Sequence, residues 1–277
     1  MFVAAVPMTQ RRNKGLIAWL KREKGTARYC AQDGLDYYLL TIPYKKKQPD
    51  YTALRELYPR FSGRVILADS LELPSDISAL CFYPHHFERK IMLRLCTKIS
   101  ELLPVPLIRR VIGLVDPDGI YASFAETLIK YSPIVKVYTQ NPDAYNETRQ
   151  MLLDLYGAPL VMTERISSLS DCFVIFSPDA GSLTESMPRS LVVLGTRPQT
   201  GQIPPNTLAL NSLNLTCDQQ ALVPNGIDAV SFFAAACELS GRREYLSLLP
   251  GQVYAGRRII ETADLSGYVH AFFMCKG

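Results

Sequence analysis

The sequence predicts an α/β fold with a parallel sheet, and three observations support this prediction. From Arg110 onward, short β-branched runs alternate with amphipathic segments, which is typical of repeated βαβ units. The runs are almost continuously apolar, as expected of strands buried on both faces. Proline and glycine residues separate the runs from the amphipathic segments. We therefore expect a parallel sheet with helices on both faces.

Six strands of this sheet can be placed on the sequence. They are Arg110–Val115, Ile134–Tyr138, Pro159–Thr163, Cys172–Phe176, Leu191–Leu194 and Thr207–Leu210. The spacing of apolar residues predicts helices over Tyr121–Tyr131 and Ala144–Tyr156. A further helix is expected over Ile227–Ser240, where Gly241 is a typical stop signal. The last stretch, Gln252–Cys275, fits either a strand or a short helix.

The first 105 residues differ from the rest and predict a smaller N-terminal α+β domain. Its expected strands are Phe2–Val6, Leu16–Lys21, Ala27–Ala31 and Tyr37–Ile42, and its expected helices are Tyr51–Leu57 and Phe87–Leu103. Asp33-Gly34 is a turn dipeptide of the hairpin type. Pro104 and Pro106 indicate a linker. We therefore divide the chain into an N-terminal domain, residues 1–105, and an α/β domain with a C-terminal helix, residues 106–277.

Composition narrows the class of protein. The apolar runs are far shorter than the roughly 20 residues of a membrane span, and the N-terminal segment Met1–Pro7 is too short for a signal peptide. We therefore expect a cytoplasmic protein that does not enter a membrane. Seven cysteines without a paired spacing and only three histidines disfavour a metal site, and we expect reduced thiols.

The charge is unevenly distributed along the chain. Residues 1–110 carry 19 Lys and Arg against 10 Asp and Glu, whereas residues 111–277 carry 11 against 16. A basic segment can bind nucleic acid, but it can equally contact an acidic part of its own chain. Because no aromatic and basic nucleic-acid motif accompanies this charge, the sequence favours the second interpretation.

Three segments of the α/β domain follow the pattern of a known family. They are the turn Thr139-Gln140-Asn141 with Arg149 in the next helix, the segment Leu169–Cys172 before the fourth strand, and the loop Leu194–Pro198. Together they resemble the NAD(P)-binding domain of the shikimate dehydrogenase and glutamyl-tRNA reductase group. The resemblance covers about 100 residues, Ile112–Asn214. It implies a Rossmann-like fold with NAD or NADP as the cofactor.

The loop after the first of these strands would hold the pyrophosphate of such a cofactor. A pyrophosphate needs glycines, so that backbone amides and a helix N-terminus can approach it closely. Here the loop contains Asp116, Pro117, Asp118 and Gly119. The two carboxylates would repel phosphate, and Pro117 has no amide hydrogen, whereas both aspartates suit a helix N-cap. We interpret the loop as one that no longer binds NAD(P) in the usual way.

Other candidate cofactor-binding residues lie at the ends of the second and fourth strands. Thr139 and Gln140, followed by Asn141, occupy the place of the acidic residue that binds a ribose, so a 2′-phosphate would be tolerated, with Arg149 or Lys136 as its partner. A solvated surface charge is the simpler interpretation of Arg149. Ser177 and the segment Asp179–Ser182 follow the fourth strand, where parallel sheets bind ligands.

The N-terminal domain offers one catalytic candidate. Thr41-Ile42-Pro43-Tyr44-Lys45 resembles the Thr-x-Pro-x-Lys loop of shikimate dehydrogenases, which implies that Lys45 transfers a proton beside the substrate. Lys45 also begins a run of three lysines, which is typical of a solvated loop. Tyr83, His85 and His86 could supply an acid or base, although residues of these types before a helix more often pack or cap.

Two classes of function therefore stay open. The first is a degenerate Rossmann-like protein that binds a small ligand or a protein partner without catalysis. The second is an NAD(P)-dependent oxidoreductase of the shikimate dehydrogenase type with an atypical phosphate loop. We favour the first class, because it requires no chemistry that the residues fail to supply.

Overall fold

The structure, a computed structural model, describes residues 1–8, 25–32, 35–45, 48–72, 74–84, 86–179, 187, 189–195, 206–210, 215–216, 222–239, 248–256 and 258–274. The predicted strand Leu16–Lys21 and the turn Asp33-Gly34 lie outside these residues. The chain forms two compact units. The first unit comprises Met1–Phe87 with Cys217–Ser247, and the second comprises Glu88–Thr216 with Leu248–Gly277.

The elements are numbered along the chain within the described residues. The strands are β1 (Phe2–Pro7), β2 (Ala27–Gln32), β3 (Leu35–Ile42), β4 (Tyr44–Lys45), β5 (Gln48–Pro49), β6 (Val65–Leu67), β7 (Val111–Val115), β8 (Ile134–Tyr138), β9 (Leu160–Thr163), β10 (Val174–Ser177), β11 (Leu191–Leu194), β12 (Thr207–Leu210), β13 (Leu215–Thr216), β14 (Leu249–Pro250), β15 (Gln252–Ala255) and β16 (Arg258–Glu261). The α-helices are α1 (Thr52–Glu56), α2 (Tyr58–Phe61), α3 (Phe87–Leu102), α4 (Ala122–Ile129), α5 (Asn146–Tyr156), α6 (Ala229–Leu239) and α7 (Leu265–Met274).

The first unit is built on a four-stranded sheet with the order β2-β3-β1-β6. The central strand β1 runs parallel to β3 and β6, while β2 is antiparallel to β3. Helix α6 packs against β1 and β6, and the ring of Phe232 makes edge contacts with Phe2 and Tyr37. The first unit therefore uses a helix from the C-terminal part of the chain to bury the apolar face of its N-terminal strand.

The second unit contains an eight-stranded sheet with the order β16-β15-β12-β11-β10-β7-β8-β9. Strands β7 to β12 are all parallel to their neighbours, whereas β15 and β16 add an antiparallel edge. In chain order the six parallel strands give 3-2-1-4-5-6, which is the order of the Rossmann fold. The predicted fold class is thereby confirmed: a Rossmann-like parallel sheet, with a smaller sheet at the N-terminus.

Apolar side chains cover both faces of this large sheet. Ile112 and Leu114 of β7 belong to a core shared with α3, α4, α5 and α7. On the other face, Val115 packs in a second core with Leu169, which lies in a 3₁₀ helix, and with Met187. The near-continuous hydrophobicity of the strands thus reflects burial on both sides.

Most predicted elements are confirmed with end shifts of one or two residues. The strands Ile134–Tyr138, Leu191–Leu194 and Thr207–Leu210 have the predicted bounds. For Gln252–Cys275 the sequence left strand and short helix open, and the structure contains both. The strands β15 and β16 form a hairpin there, and helix α7 follows them. The domain boundary near residue 106 stays a prediction, since each compact unit includes residues from both sides of it.

Arg110 fixes the chain between helix α3 and strand β7. Its guanidinium donates hydrogen bonds to the carbonyl oxygens of Ser100 (2.9 Å), Leu103 (2.8 Å) and Val105 (2.7 Å). The last carbonyls of a helix have no partner within the helix, so a cation at this end supplies the missing donors. Arg110 therefore ends α3 and sets the path into the first strand of the Rossmann-like sheet.

Replacing Arg110 with Met should lower the free energy of unfolding by about 2 kcal/mol or more, because three carbonyl groups lose a charged donor. The neighbouring substitution Arg109→Met is the matched control, since Arg109 is exposed and its loss should change the stability by less than about 0.5 kcal/mol. Urea unfolding followed by circular dichroism measures both. Equal effects of the two substitutions would contradict this role of Arg110.

Candidate functional site

The carboxyl ends of the central strands meet at one edge of the large sheet. Strand β7 is parallel to both β8 and β10, so Val115, Tyr138 and Ser177 end these strands at the same edge. Between β7 and β10 the order of the strands reverses, and parallel sheets bind ligands at such a switch point. The candidate residues that follow β7, β8 and β10 are brought together here, as the sequence predicted.

Asp116 is the central residue of this edge, and it is almost fully buried. Its carboxylate accepts hydrogen bonds from the backbone amides of Ile120 (2.9 Å) and Tyr121 (2.7 Å), just before helix α4. It also accepts a hydrogen bond of 2.5 Å from the hydroxyl group of Tyr145. Asp116 is not the N-cap that the sequence predicted, because the N-cap position is Tyr121 and no side chain caps it; Asp116 instead accepts the two amides that come just before the helix. Asp118 is exposed and does not share this role.

Gly119 allows the loop after β7 to lie close to the chain after β8. Its φ angle is +76°, and an added Cβ atom would collide with the Cβ atom of Ala144. Its amide donates to the carbonyl oxygen of Asp116 at 3.3 Å. This glycine is therefore required for a tight internal turn, and its amide is engaged within that turn.

The loops after β7 and β8 are joined by direct hydrogen bonds. The amide of Gln140 and the hydroxyl group of Thr139 both donate to the carbonyl oxygen of Pro117, at 3.0 and 3.3 Å. The side-chain amide of Asn141 donates to the carbonyl oxygen of Asp118 at 3.2 Å. The predicted cofactor-binding residues Thr139 and Asn141 thus bind the neighbouring loop.

Two tyrosines at this edge, Tyr121 and Tyr145, have pKa values above the ordinary value of a phenol. Burial and the hydrogen bond to Asp116 raise the pKa of Tyr145 far above its ordinary value. Burial, with a further contribution from Asp179, raises the pKa of Tyr121 to about 12. Both phenols are therefore protonated at neutral pH and act as hydrogen-bond donors.

Tyr121 also connects helix α3 to the end of β10. The guanidinium of Arg89 lies 5.4 Å from the centre of the Tyr121 ring, and the hydroxyl group of Tyr121 donates to Asp179 at 3.4 Å. The hydroxyl group of Ser177 donates to the carbonyl oxygen of Asp179 at 3.0 Å. Sequence analysis missed Arg89, Tyr121 and Tyr145 as members of this edge, since they belong to no motif and their partners lie far away in sequence.

The loops after β10 and β11 approach each other closely. The amide of Gly195 donates to the carbonyl oxygen of Ser177 at 3.0 Å, and an added Cβ atom would collide with the carbonyl oxygen of Pro178. Asp179 is exposed at the end of β10. The rest of the predicted ligand segment, including Ser182, lies outside the described residues.

A cleft of about 360 Å³ lies beyond the carboxyl ends of β8 and β9. Its lining residues are Thr139, Pro142, Met162, Thr163, Glu164 and Arg165. Neither predicted partner for a 2′-phosphate belongs to this lining. Arg149 is exposed on helix α5, and the amine of Lys136 forms an ion pair with Asp171 at 2.7 Å. Lys136 is therefore already paired with a carboxylate.

The other catalytic candidates belong to the first unit. Lys45 is exposed on β4 and lines a groove of about 650 Å³ with Tyr44, Arg55 and Glu72. Among the described residues, no carboxylate forms an ion pair with it. Tyr83 is 63% exposed, and the backbone amide of His86 donates to Glu238 at 2.9 Å. His85 lies outside the described residues. A catalytic role for Lys45 stays a prediction.

The residues at the switch point do not fit the pyrophosphate of a dinucleotide. The amides of Gly119, Ile120 and Tyr121 already donate to Asp116, and Pro117 has no amide hydrogen. A phosphate at the start of α4 would have to replace a buried carboxylate of the same sign. Among the described residues, no group of three His, Cys, Asp or Glu could hold a metal ion, and no helix could span a membrane.

The topology and this edge define a Rossmann-like α/β protein in which the loop after β7 is closed by its own carboxylate. No protein-family model and no curated protein matches the chain. Among solved structures it is similar to L-tryptophan dehydrogenase from Nostoc punctiforme, with 13% identity and a TM-score of 0.28 over 70% of this chain and 62% of that one. It is also similar to shikimate dehydrogenase from Aquifex aeolicus, with 12% identity and a TM-score of 0.26 over 70% of this chain and 77% of that one.

Removal of the Asp116 side chain tests how much this edge depends on it. Asp116→Ala should lower the free energy of unfolding by about 3 kcal/mol or more, because two amides and a buried hydroxyl group lose their acceptor. Asp118→Ala is the matched control two residues away and should cost less than about 0.5 kcal/mol. Thermal and urea unfolding measure both variants. A stable Asp116→Ala variant would show that the contacts of the carboxylate are dispensable.

Proposed function

We propose that this protein acts by binding a small ligand or a protein partner at the carboxyl edge of its Rossmann-like sheet, without dinucleotide-dependent catalysis. The observation that carries the proposal is the buried carboxylate of Asp116, which accepts the amides before helix α4. In dinucleotide-binding members of this fold, the pyrophosphate takes those amides. Asp116 is a permanent substitute for that anion.

Electrostatics support the proposal. A pyrophosphate bound at the start of α4 would lie beside the carboxylates of Asp116 and Asp118, and like charges this close disfavour each other most where water is excluded. If the phosphate displaced Asp116 from its donors, a buried charge would lose its compensation, which costs several kcal/mol. Neither arrangement leaves a favourable site for NAD or NADP.

One observation favours the alternative function, an NAD(P)-dependent oxidoreductase. The strand order 3-2-1-4-5-6 is the order used by dinucleotide-binding domains. Fold alone does not specify chemistry, however, and the same scaffold supports many functions. In that alternative Lys45 would transfer a proton, and Lys45→Ala would abolish NADP reduction with a hydroxy-acid substrate.

Calorimetric titration with NAD and NADP decides between the two functions. We expect no saturable heat with either dinucleotide at concentrations up to about 1 mM, because the amides of Ile120 and Tyr121 just before α4 already donate to the Asp116 carboxylate. A thermal-shift measurement under the same conditions should show no rise in melting temperature, since only a ligand of the native state stabilises it. Micromolar binding of either dinucleotide would refute the proposal and favour the alternative, which activity measurements would then test.

A loop replacement tests the cause of this exclusion. The double substitution Asp116→Gly with Pro117→Gly removes the internal anion and restores a flexible loop, so we expect measurable dinucleotide binding where the unmodified protein has none. Asp118→Gly is the control, because it removes an exposed charge but keeps Asp116 in place. Circular dichroism must first show that the double variant is folded. A folded double variant that still fails to bind would mean that Asp116 is not what excludes the dinucleotide.

A further inference from the structure

Strand β9 forms an open edge of the large sheet. Its residues pair with β8 on one side, and among the described residues no strand pairs with its other side. An open edge presents unpaired amide and carbonyl groups, and these can pair with another strand. Val161 lies in the middle of this strand and is 39% exposed. Within the part of the chain that the structure describes, the edge therefore combines backbone groups that pair with no other strand and an exposed apolar side chain.

Helix α5 presents an exposed stripe near the same edge. The helix contacts β9, and its residues Arg149, Leu153 and Tyr156 have the spacing i, i+4, i+7, which places them on one side of a helix. Arg149 is exposed, Leu153 is 53% exposed and Tyr156 is 55% exposed. The adjacent Leu152 is fully buried in the core. We call Arg149, Leu153 and Tyr156 the α5 stripe.

We propose that a second copy of this chain binds along β9 and the α5 stripe, by antiparallel pairing of the two β9 strands. A two-fold axis perpendicular to the sheet relates the copies, so each face of one sheet continues into the same face of the other. We place Val161 directly opposite the second copy's Val161. In this register the side chains of both strands alternate in step, so each one stays on the face of the sheet that it occupies in a single copy. The dimer has a single sheet that runs through both copies.

The α5 stripe is complementary to itself, which favours a second copy as the partner. The same axis sets the two α5 helices antiparallel on one face of the joined sheet. Leu153 then lies near the axis against its own copy, and Arg149 faces the second copy's Tyr156. A guanidinium over a tyrosine ring is a favourable contact, and the symmetry creates it twice. Arginine and tyrosine are also enriched among the residues that dominate interface energies.

Sedimentation velocity at protein concentrations from about 1 to 100 µM tests the interface, a range that covers typical micromolar dimers. We expect a dimer of twice the 31.0 kDa chain mass. Leu153→Glu should place two like charges at the axis and weaken the dimer at least 30-fold, the effect of about 2 kcal/mol at a central interface residue. Because Leu153 is exposed, this variant should keep the fold, which circular dichroism can verify.

Two controls make the test specific. Leu155→Glu changes an equally apolar and exposed residue of the same helix that lies off the α5 stripe, and Ile259→Glu changes the opposite edge of the sheet at β16. Both variants should remain dimeric. A monomeric unmodified protein at about 100 µM would overturn the proposal, since even weak specific dimers form by then. Dissociation by either control, or a dimer that survives Leu153→Glu, would also overturn it.

Hydrogen exchange provides a second readout of the same interface. Backbone amides of β9 that point away from β8 should become protected as the protein concentration rises, and this protection should disappear in Leu153→Glu. Protection that does not depend on concentration would contradict pairing between copies. The outcome is independent of dinucleotide titration, so failure of the dimer and failure of the proposed function can be told apart.

Discussion

The carboxylate of Asp116 is the interaction on which the carboxyl edge of this protein depends. A buried charge is tolerated only when it is compensated, and here the compensation comes from two backbone amides and one phenol. The amides belong to the start of helix α4, where the helix dipole also favours a negative charge. The phenol of Tyr145 comes from the segment after β8. One side chain thus joins strand β7, helix α4 and the chain before helix α5.

The bonds of Asp116 make the loop after β7 differ from the corresponding loop of dinucleotide-binding Rossmann folds. In a dinucleotide-binding protein, the loop after the first strand is left open for a ligand and is completed by it. Here the loop is complete without a ligand, and the bonds from Thr139, Gln140 and Asn141 close it against the next loop. The cleft of about 360 Å³ beyond β8 and β9 lies outside this closed loop, at the rim of the same edge.

The sequence predicted the sheet well because periodicity and turn residues report local structure. The apolar runs identified six strands, whereas the aspartate predicted as an N-cap binds the two amides before the helix and the N-cap position itself is Tyr121. Tyr145 was missed because its partner lies 29 positions away, and nothing local to a tyrosine identifies a distant acceptor. Lys136 was considered as a phosphate partner, although Asp171 pairs with it. For α6, the apolar pattern predicted a helix with one buried side, but it could not specify which sheet would cover that side.

The packing of α6 on β1 has a consequence for the order of folding during synthesis. Strand β1 is synthesised about 220 residues before α6, a delay on the order of 10 to 40 seconds at usual rates of translation. Strands β7 to β12 are made within that interval. The six parallel strands of the larger sheet are therefore complete while the rings of Phe2 and Tyr37 still lack the cover of Phe232, whereas β15, β16 and α7 are synthesised after α6. During this time the apolar face of β1 lacks its cover, so the first unit can be completed only after all six parallel strands have been synthesised.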